Sequence, residues 1–387
     1  GGKTEAEVKR IAIVLCAALA AGVLTGCDPS FLPRSQDISH VELVRTLAID
    51  DSREEDRIKV TVASGVKRGP DGSPGKPLIL TEEAETVFSA CQTIQKSGSG
   101  HVTYGHVTEC VVGQQAARAG INRVLDYIQR DFEMRMDTLL FLVEQEEASV
   151  LVNKTASKDS SATDRLQEIG QMLPLKSEAW PCTVREFLID LYNGWALMPV
   201  VKLEKEEDHY DINTDGMALF QDARLVEKLD DRTGRGACLL LNQGKSGHVD
   251  IMLKDGSVAG LKLVGINCRW SAQWEGDTLT GLSAELDVKA DLAEVSGKAS
   301  SQDAPEMQKI EEQLAAQITE EAAAALEKEK AYGDFLHLKR KLTGQYPGRV
   351  ELIQACWEQW LETLTFHVTT QAVVKQSYDV NRGTKES

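Results

Sequence analysis

The sequence is short of basic residues: 43 Lys and Arg stand against 60 Asp and Glu, for a formal net charge of −17 at pH 7. A body that acidic repels polyanions at long range, which excludes bulk binding to DNA or RNA phosphate. It also excludes adhesion to anionic headgroups through a polybasic patch. No two of the 8 cysteines form a C-x-x-C pair, so the thiols offer neither a paired zinc half-site nor a thioredoxin-type redox motif. The G-x-x-x-x-G-K-[ST] order of a phosphate cradle is missing, and so is the G-x-S-x-G elbow of serine hydrolases. Beyond residue 27 no stretch approaches the 18 consecutive apolar residues of a membrane-spanning helix.

What is present begins at the amino terminus. Lys9 and Arg10 precede an apolar run from Ile11 to Leu24. Such a run is too short to cross about 30 Å of hydrocarbon, but it has the form of a signal h-region behind a basic n-region. It leads into Leu24-Thr25-Gly26-Cys27, which resembles a bacterial lipobox. A thiol is needed there because its sulfur takes a diacylglyceryl group through a thioether, and the small residues before it fit a narrow peptidase site. Cleavage between Gly26 and Cys27 leaves Cys27 as the lipidated amino terminus, and more than one acyl chain makes anchoring stable. Residues 28–39 then read as a tether. Cys91, Cys110, Cys182, Cys238, Cys268 and Cys356 are widely spaced in apolar context, and we expect mostly free, buried thiols.

Periodicity divides the rest into alternating strands and helices, the mark of a mixed α/β fold. Val41–Ile49 and Ile58–Ser64 form a hairpin. Helices are expected over Glu83–Lys96, Ala116–Gln129 and Val184–Tyr192, the last capped by Thr183, with strands at Val107–Val112 and Leu139–Val143. Asn153–Asp164 reads as an exposed loop. Asp211–Phe220 and Arg224–Val226 form a hairpin. Four further strands follow at Val249–Leu253, Val258–Val264, Asn267–Trp274 and Leu282–Val288. Ile310, Leu314, Ile318, Ala322 and Leu326, at steps of four in the helix Pro305–Lys330, give it one narrow face to lay on a sheet. The pattern predicts three consecutive domains, each a mixed sheet with packed helices: 40–205, 206–275 and 276–387. They follow the signal segment, 1–26, and the lipidated Cys with its tether, 27–39.

The lipobox, the strand ELVRTLAID and the block VTYGHVTECVVGQQAARAGINRVLDYIQRDFEMR resemble, in that order, the Ger(x)C family. DGMALFQDARLVEKLDDRTGRGACLLLN and the closing IEEQLAAQITEEAAAALEKEKAYGDFLHLKRKLTGQYPGRVELIQACWEQWLETLTFHVTTQAVV extend the resemblance over nearly all of the chain beyond the signal segment. Tyr104-Gly105 and the loop Gly65–Pro77 depart from the family pattern. These proteins are the C-subunit lipoproteins of spore germinant receptors. The resemblance therefore implies a non-catalytic subunit required for nutrient-triggered germination, working with A-type and B-type membrane subunits. It also implies a place on the outer face of the spore inner membrane and no cofactor. The rival from another class is a lipid-anchored extracytoplasmic solute-binding protein of a transporter.

Other candidate sites are weak. His101 and His106, five apart along a strand, point to opposite faces and make no metal site. Ser97–Gly100 ends a helix, where the dipole repels phosphate. The acidic run Glu204–Asp208 lacks the spaced order of a calcium loop. Trp270 and Trp274 share a strand face in a polar stretch and are the candidates for a partner surface. Replacing Cys27 by Ala is expected to release the chain from membranes in a detergent phase partition; quantitative retention would contradict the lipobox assignment.

Overall fold

The computed structural model describes residues 41–52, 54, 56–68, 73–97, 101–157, 160–207, 209–244, 246–296 and 304–376. Gly26, Cys27 and the tether lie outside them. The β-branched run after residue 40 forms β1 (Val41–Asp51), which turns back into β2 (Ile58–Ser64) with Asp51 opposite Ile58. The short pair β3 (Lys67–Arg68) and β4 (Pro74–Gly75) leads to β5 (Ile79–Ala84), which returns along β2. Next come α1 (Val87–Ser97), β6 (His101–Thr103), β7 (Glu109–Gly113), α2 (Gln114–Ala119), α3 (Asn122–Arg130) and β8 (Leu139–Val143). Three helices, α4 (Ala148–Lys154), α5 (Ala162–Lys176) and α6 (Val184–Tyr192), carry the chain to β9 (Trp195–Lys205) and the hairpin β10 (Tyr210–Gln221) and β11 (Arg224–Leu229). The order across this sheet is β11-β10-β9-β8-β7-β1-β2-β5, with β6 also paired to β1. Its middle strands β1, β7, β8 and β9 run parallel, and helices make the crossovers that parallel pairing requires.

Helix α7 (Asp231–Leu240) leads into a second sheet of order β12-β13-β14-β15. Its strands are β12 (Gly247–Met252), β13 (Val258–Glu275), β14 (Thr278–Ser296) and β15 (Thr365–Gln376). Between β14 and β15 lie α8 (Ala304–Tyr332), α9 (Leu338–Gln345) and α10 (Val350–Thr363). The stripe Ile310, Leu314, Ile318, Ala322 and Leu326 is buried, as its spacing predicts.

Alternation along β1 sends Leu47 and Ile49 to one face of the first sheet and Ala48 to the other. Leu47 and Ile49 join a core with Ile94 of α1, Leu125 of α3 and Phe187 of α6. Ala48, Val111 and Phe141 join Leu151 of α4 and Leu166 of α5, and that core continues through Leu239 and Leu240 of α7 to Leu286 and Ile318. Both sheets therefore share one apolar interior.

The mixed α/β class is as expected, but the divisions differ in detail. The boundary placed near 205 falls in the turn between β9 and β10, and the one near 275 in the turn between β13 and β14. Strands pair across both turns, so 206–275 is not a sheet of its own: its first strands extend sheet one and its last open sheet two. Residues 83–84 end β5, and α1 starts only at Val87. The helix expected over 116–129 is two helices, broken at Gly120 (φ 114°), where a side chain would press on Arg224. The expected loop 153–164 is shorter: α4 runs on through Lys154, and Ser161, whose hydroxyl accepts the Asp164 N–H, starts α5. Strands expected at 258–264 and 267–274 are one bulged strand, β13. Thr183 caps α6 as predicted, in a reciprocal box with Glu186.

The closest joint is between helices. A Cβ on Gly236 of α7 would lie 2.0 Å from the Glu321 carbonyl oxygen of α8, so only hydrogen fits between the two backbones. Gly236→Ala must push α8 off α7, and we expect it to cost about 2–3 kcal/mol. Urea unfolding with an unchanged midpoint would contradict the contact.

Candidate functional site

Of the residues singled out in the sequence, Trp270 and Trp274 have moved the furthest from their assigned role. Trp270 is buried, its indole N–H donating to the Leu240 carbonyl at 3.3 Å. Trp274 lies edge-on to Tyr346 and Trp360, with Arg349 4.3 Å over its ring. Both belong to the core joining β13 to α10. Trp270 lies inside and Trp274 is half-buried, because the C-terminal helices pack on the strand face that looked polar in sequence. His101 and His106 are exposed and apart, with His101 Nδ1 2.8 Å from Gln95 Nε2. Among the described residues no group of His, Cys, Asp and Glu could hold a metal ion. The five cysteines of the interior are buried and Cys356 is half-buried, all as free thiols; burial raises the Cys91 thiol to about 11 and Cys110 to about 12.

The aromatic side chains left outside are others. Phe132 is 95% and Phe88 55% exposed, flanking a mainly apolar cavity of about 630 Å³ between α1 and α3 that Arg123, Asp126 and Arg130 rim. Neither was singled out in sequence, because Phe88 sits on a helix whose apolar spacing is carried by Val87, Cys91 and Ile94.

The carboxyl ends of parallel strands are where open α/β sheets place ligands, and here they hold Asp50. Its carboxylate accepts the N–H groups of Ala148 at 2.6 Å and Ser149 at 2.8 Å and so caps α4. Burial pushes this carboxyl up, and the two N–H bonds pull against it. Gly113 is glycine for the same reason: its Cβ would stand 2.2 Å from Asp50 Oδ1. Two depressions open beside Asp50 and Asp51. One, of about 350 Å³, is walled by Asp56, Arg57, Arg123 and Arg224; the other, of about 320 Å³, by Gln114, Gln145 and Glu146. Their charges are mostly matched in place, Arg57 with Glu54 at 2.5 Å and Lys154 with Glu146 at 3.5 Å.

One pattern escaped the sequence reading. Asp211-x-Asn213-x-Asp215-Gly216 opens like a calcium loop, yet the structure lays it along β10. There Asp211 pairs with Arg165 at 2.8 Å, Asn213 donates to Glu204 at 2.6 Å, and Asp215 meets Lys228. The alternation of polar residues is the signal that marks a strand instead. Gly216 (φ 78°) forms the bulge.

At the opposite end of the parallel strands, Glu109 of β7 is buried beside Thr46, whose hydroxyl lies 2.6 Å from that of Thr163. Thr108 donates to Glu109 Oε2 at 2.7 Å, while Oε1 has no partner among the described residues. Between the sheets, Arg235 of α7 grips the buried Glu321 of α8 with both arms, at 2.7 and 2.5 Å.

These features define a two-sheet α/β protein with a core on each face of the first sheet, one of them shared with the second, and with its polar groups spent on joining elements. Residues 34–203 match the family described as "Spore germination protein N-terminal domain", and 215–378 match "Spore germination B3/ GerAC like, C-terminal". The chain belongs to this GerAC family of spore germination proteins. It is 21% identical over 370 residues to "Putative spore germination protein YfkR" of Bacillus subtilis (strain 168), covering 92% of this chain and 93% of that one. Spore germination protein GerQC of Bacillus cereus is 21% identical over 359 residues, covering 92% and 95%. The crystal structure of the GerBC protein has the same fold, with a TM-score of 0.56 at 16% identity over 85% of this chain and 96% of that one.

Burial raises the Glu109 carboxyl from 4.5 to about 7, against the pull of Thr108 and Arg45. The native state thus holds a proton that the unfolded chain has released. The stability this gives is whole below pH 4.5 and is lost as pH rises through 7. Glu109→Gln should therefore gain on the parent by about 1–3 kcal/mol between pH 5 and pH 8. Parallel pH profiles in thermal unfolding would contradict it.

Proposed function

We propose that this chain is the lipid-anchored, non-catalytic C-type subunit of a spore germinant receptor, required for nutrient-triggered germination. The observation that carries the proposal is the match of both halves, in order and over most of the chain, to spore germination families. A solute-binding protein of a transporter draws no support from that match. Cys27 carries the diacylglyceryl anchor and holds the body at the outer face of the spore inner membrane, beside A-type and B-type membrane subunits. Among the described residues no helix is long and apolar enough to cross a membrane. The tether 28–39 reaches at most about 40 Å when extended. Within that radius the effective concentration of a membrane partner is high, and modest contacts suffice for assembly.

In spores carrying Cys27→Ala as the only source of this subunit, germination through the receptor's nutrient should fall at least tenfold. Germination by agents that bypass receptors should be unchanged. A normal nutrient response from spores lacking the protein and any paralogue would contradict the assignment.

A further inference from the structure

The turn between α8 and α9 gathers titratable groups with no part in the reading above. Glu329, at the end of α8, is fully buried; Asp334 and His337 are nearly so. Glu329 Oε2 accepts the Leu336 N–H at 2.9 Å, and Asp334 Oδ1 accepts the Leu338 N–H at 2.6 Å, capping α9. Glu329 Oε1 and His337 Nδ1 are buried with no partner among the described residues. A buried polar atom so placed destabilises the fold unless it finds a hydrogen-bond partner.

This turn is also a joint between the two family regions. Gly333 (φ 131°) lies against Trp195 of β9, where a Cβ would come 2.7 Å from the indole nitrogen. His337, itself left-handed (φ 53°), puts Nε2 3.3 Å from Asp190 of α6, which Arg340 of α9 also approaches at 3.5 Å. The charged group beside Glu329 is Asp334, which His337 in turn faces, while His337 and Arg340 of α9 gather on Asp190 of α6. On the outward turns of α8, Lys328 and Tyr332 face Glu227 of β11. Lys339 is drawn outward towards Glu358 of α10, at 3.9 Å.

We propose that the turn 333–337 is a proton-operated latch between the two family regions. With a proton on Glu329, its carboxyl donates to the Asp334 carboxylate, both acids are satisfied, and the turn stays seated on Trp195 and Asp190. Loss of that proton leaves two carboxylates side by side in a buried turn, and the turn lifts away while the sheets stay folded. Burial, with the Asp334 charge second, holds the Glu329 carboxyl well above the ordinary carboxylate range, so the latch is shut at low pH and opens as pH rises.

Amide hydrogen exchange of the purified full chain tests this, read on peptides covering 333–342 at pH 6 and pH 9 after correction for the intrinsic rate. Protection there should fall at least tenfold at pH 9, while that of β14 holds. Glu329→Gln, which keeps an acceptor for Leu336 and gives a permanent donor to Asp334, should abolish the fall. Asp334→Asn, which removes the carboxylate pair from the other side, should do the same, and His337→Gln should leave the fall intact. The latch is refuted if parent protection is flat, if β14 loses protection equally, if both acid variants behave like the parent, or if only the His337 variant flattens the response.

Discussion

Everything in this molecule depends on the passage of α7 between its two sheets. Leu239 and Leu240 of that helix sit in the interior that begins at Ala48 and Phe141 and ends at Leu286 and Ile318. A helix can lie so close to α8 only because Gly236 offers no side chain, and the buried pair Arg235–Glu321 then fixes its register. A buried ion pair of this kind contributes little net stability beside apolar packing, but removing one partner leaves a stranded charge. It therefore specifies how the helices meet more than how strongly. One consequence is that two regions recognisable as separate families behave as one body.

Legibility in the sequence followed physical cause closely. The stripe of α8, the hairpin strands β1, β2, β10 and β11, and the capping box at Thr183 were readable because each is a local pattern with a local reason. Helix α7 was not, since Gly234 and Gly236 lower its propensity and its stability comes from tertiary contact. Helix α5 carries Pro174, which masks the spacing of Leu166, Ile169 and Leu173; Ser161 three residues before Asp164 was the available clue. The burial of Trp270 was not legible because one strand's sequence cannot say that the C-terminal helices will pack on it. Asp50, Glu109 and Glu329 were invisible as sites for the same reason: burial of a carboxylate is a property of the fold.

If the amino terminus is anchored as proposed above, a single body has a use. Force or contact applied at β1 is transmitted through one close-packed interior instead of being absorbed by a hinge. Among the polar groups that remain inside are Asp50, Glu109, Glu321 and the neighbouring Glu329 and Asp334.

The most direct test of this account is differential scanning calorimetry of the full chain at pH 6. A shared interior predicts one transition whose calorimetric and van't Hoff enthalpies agree. Two separable transitions, one for each family region, would contradict it.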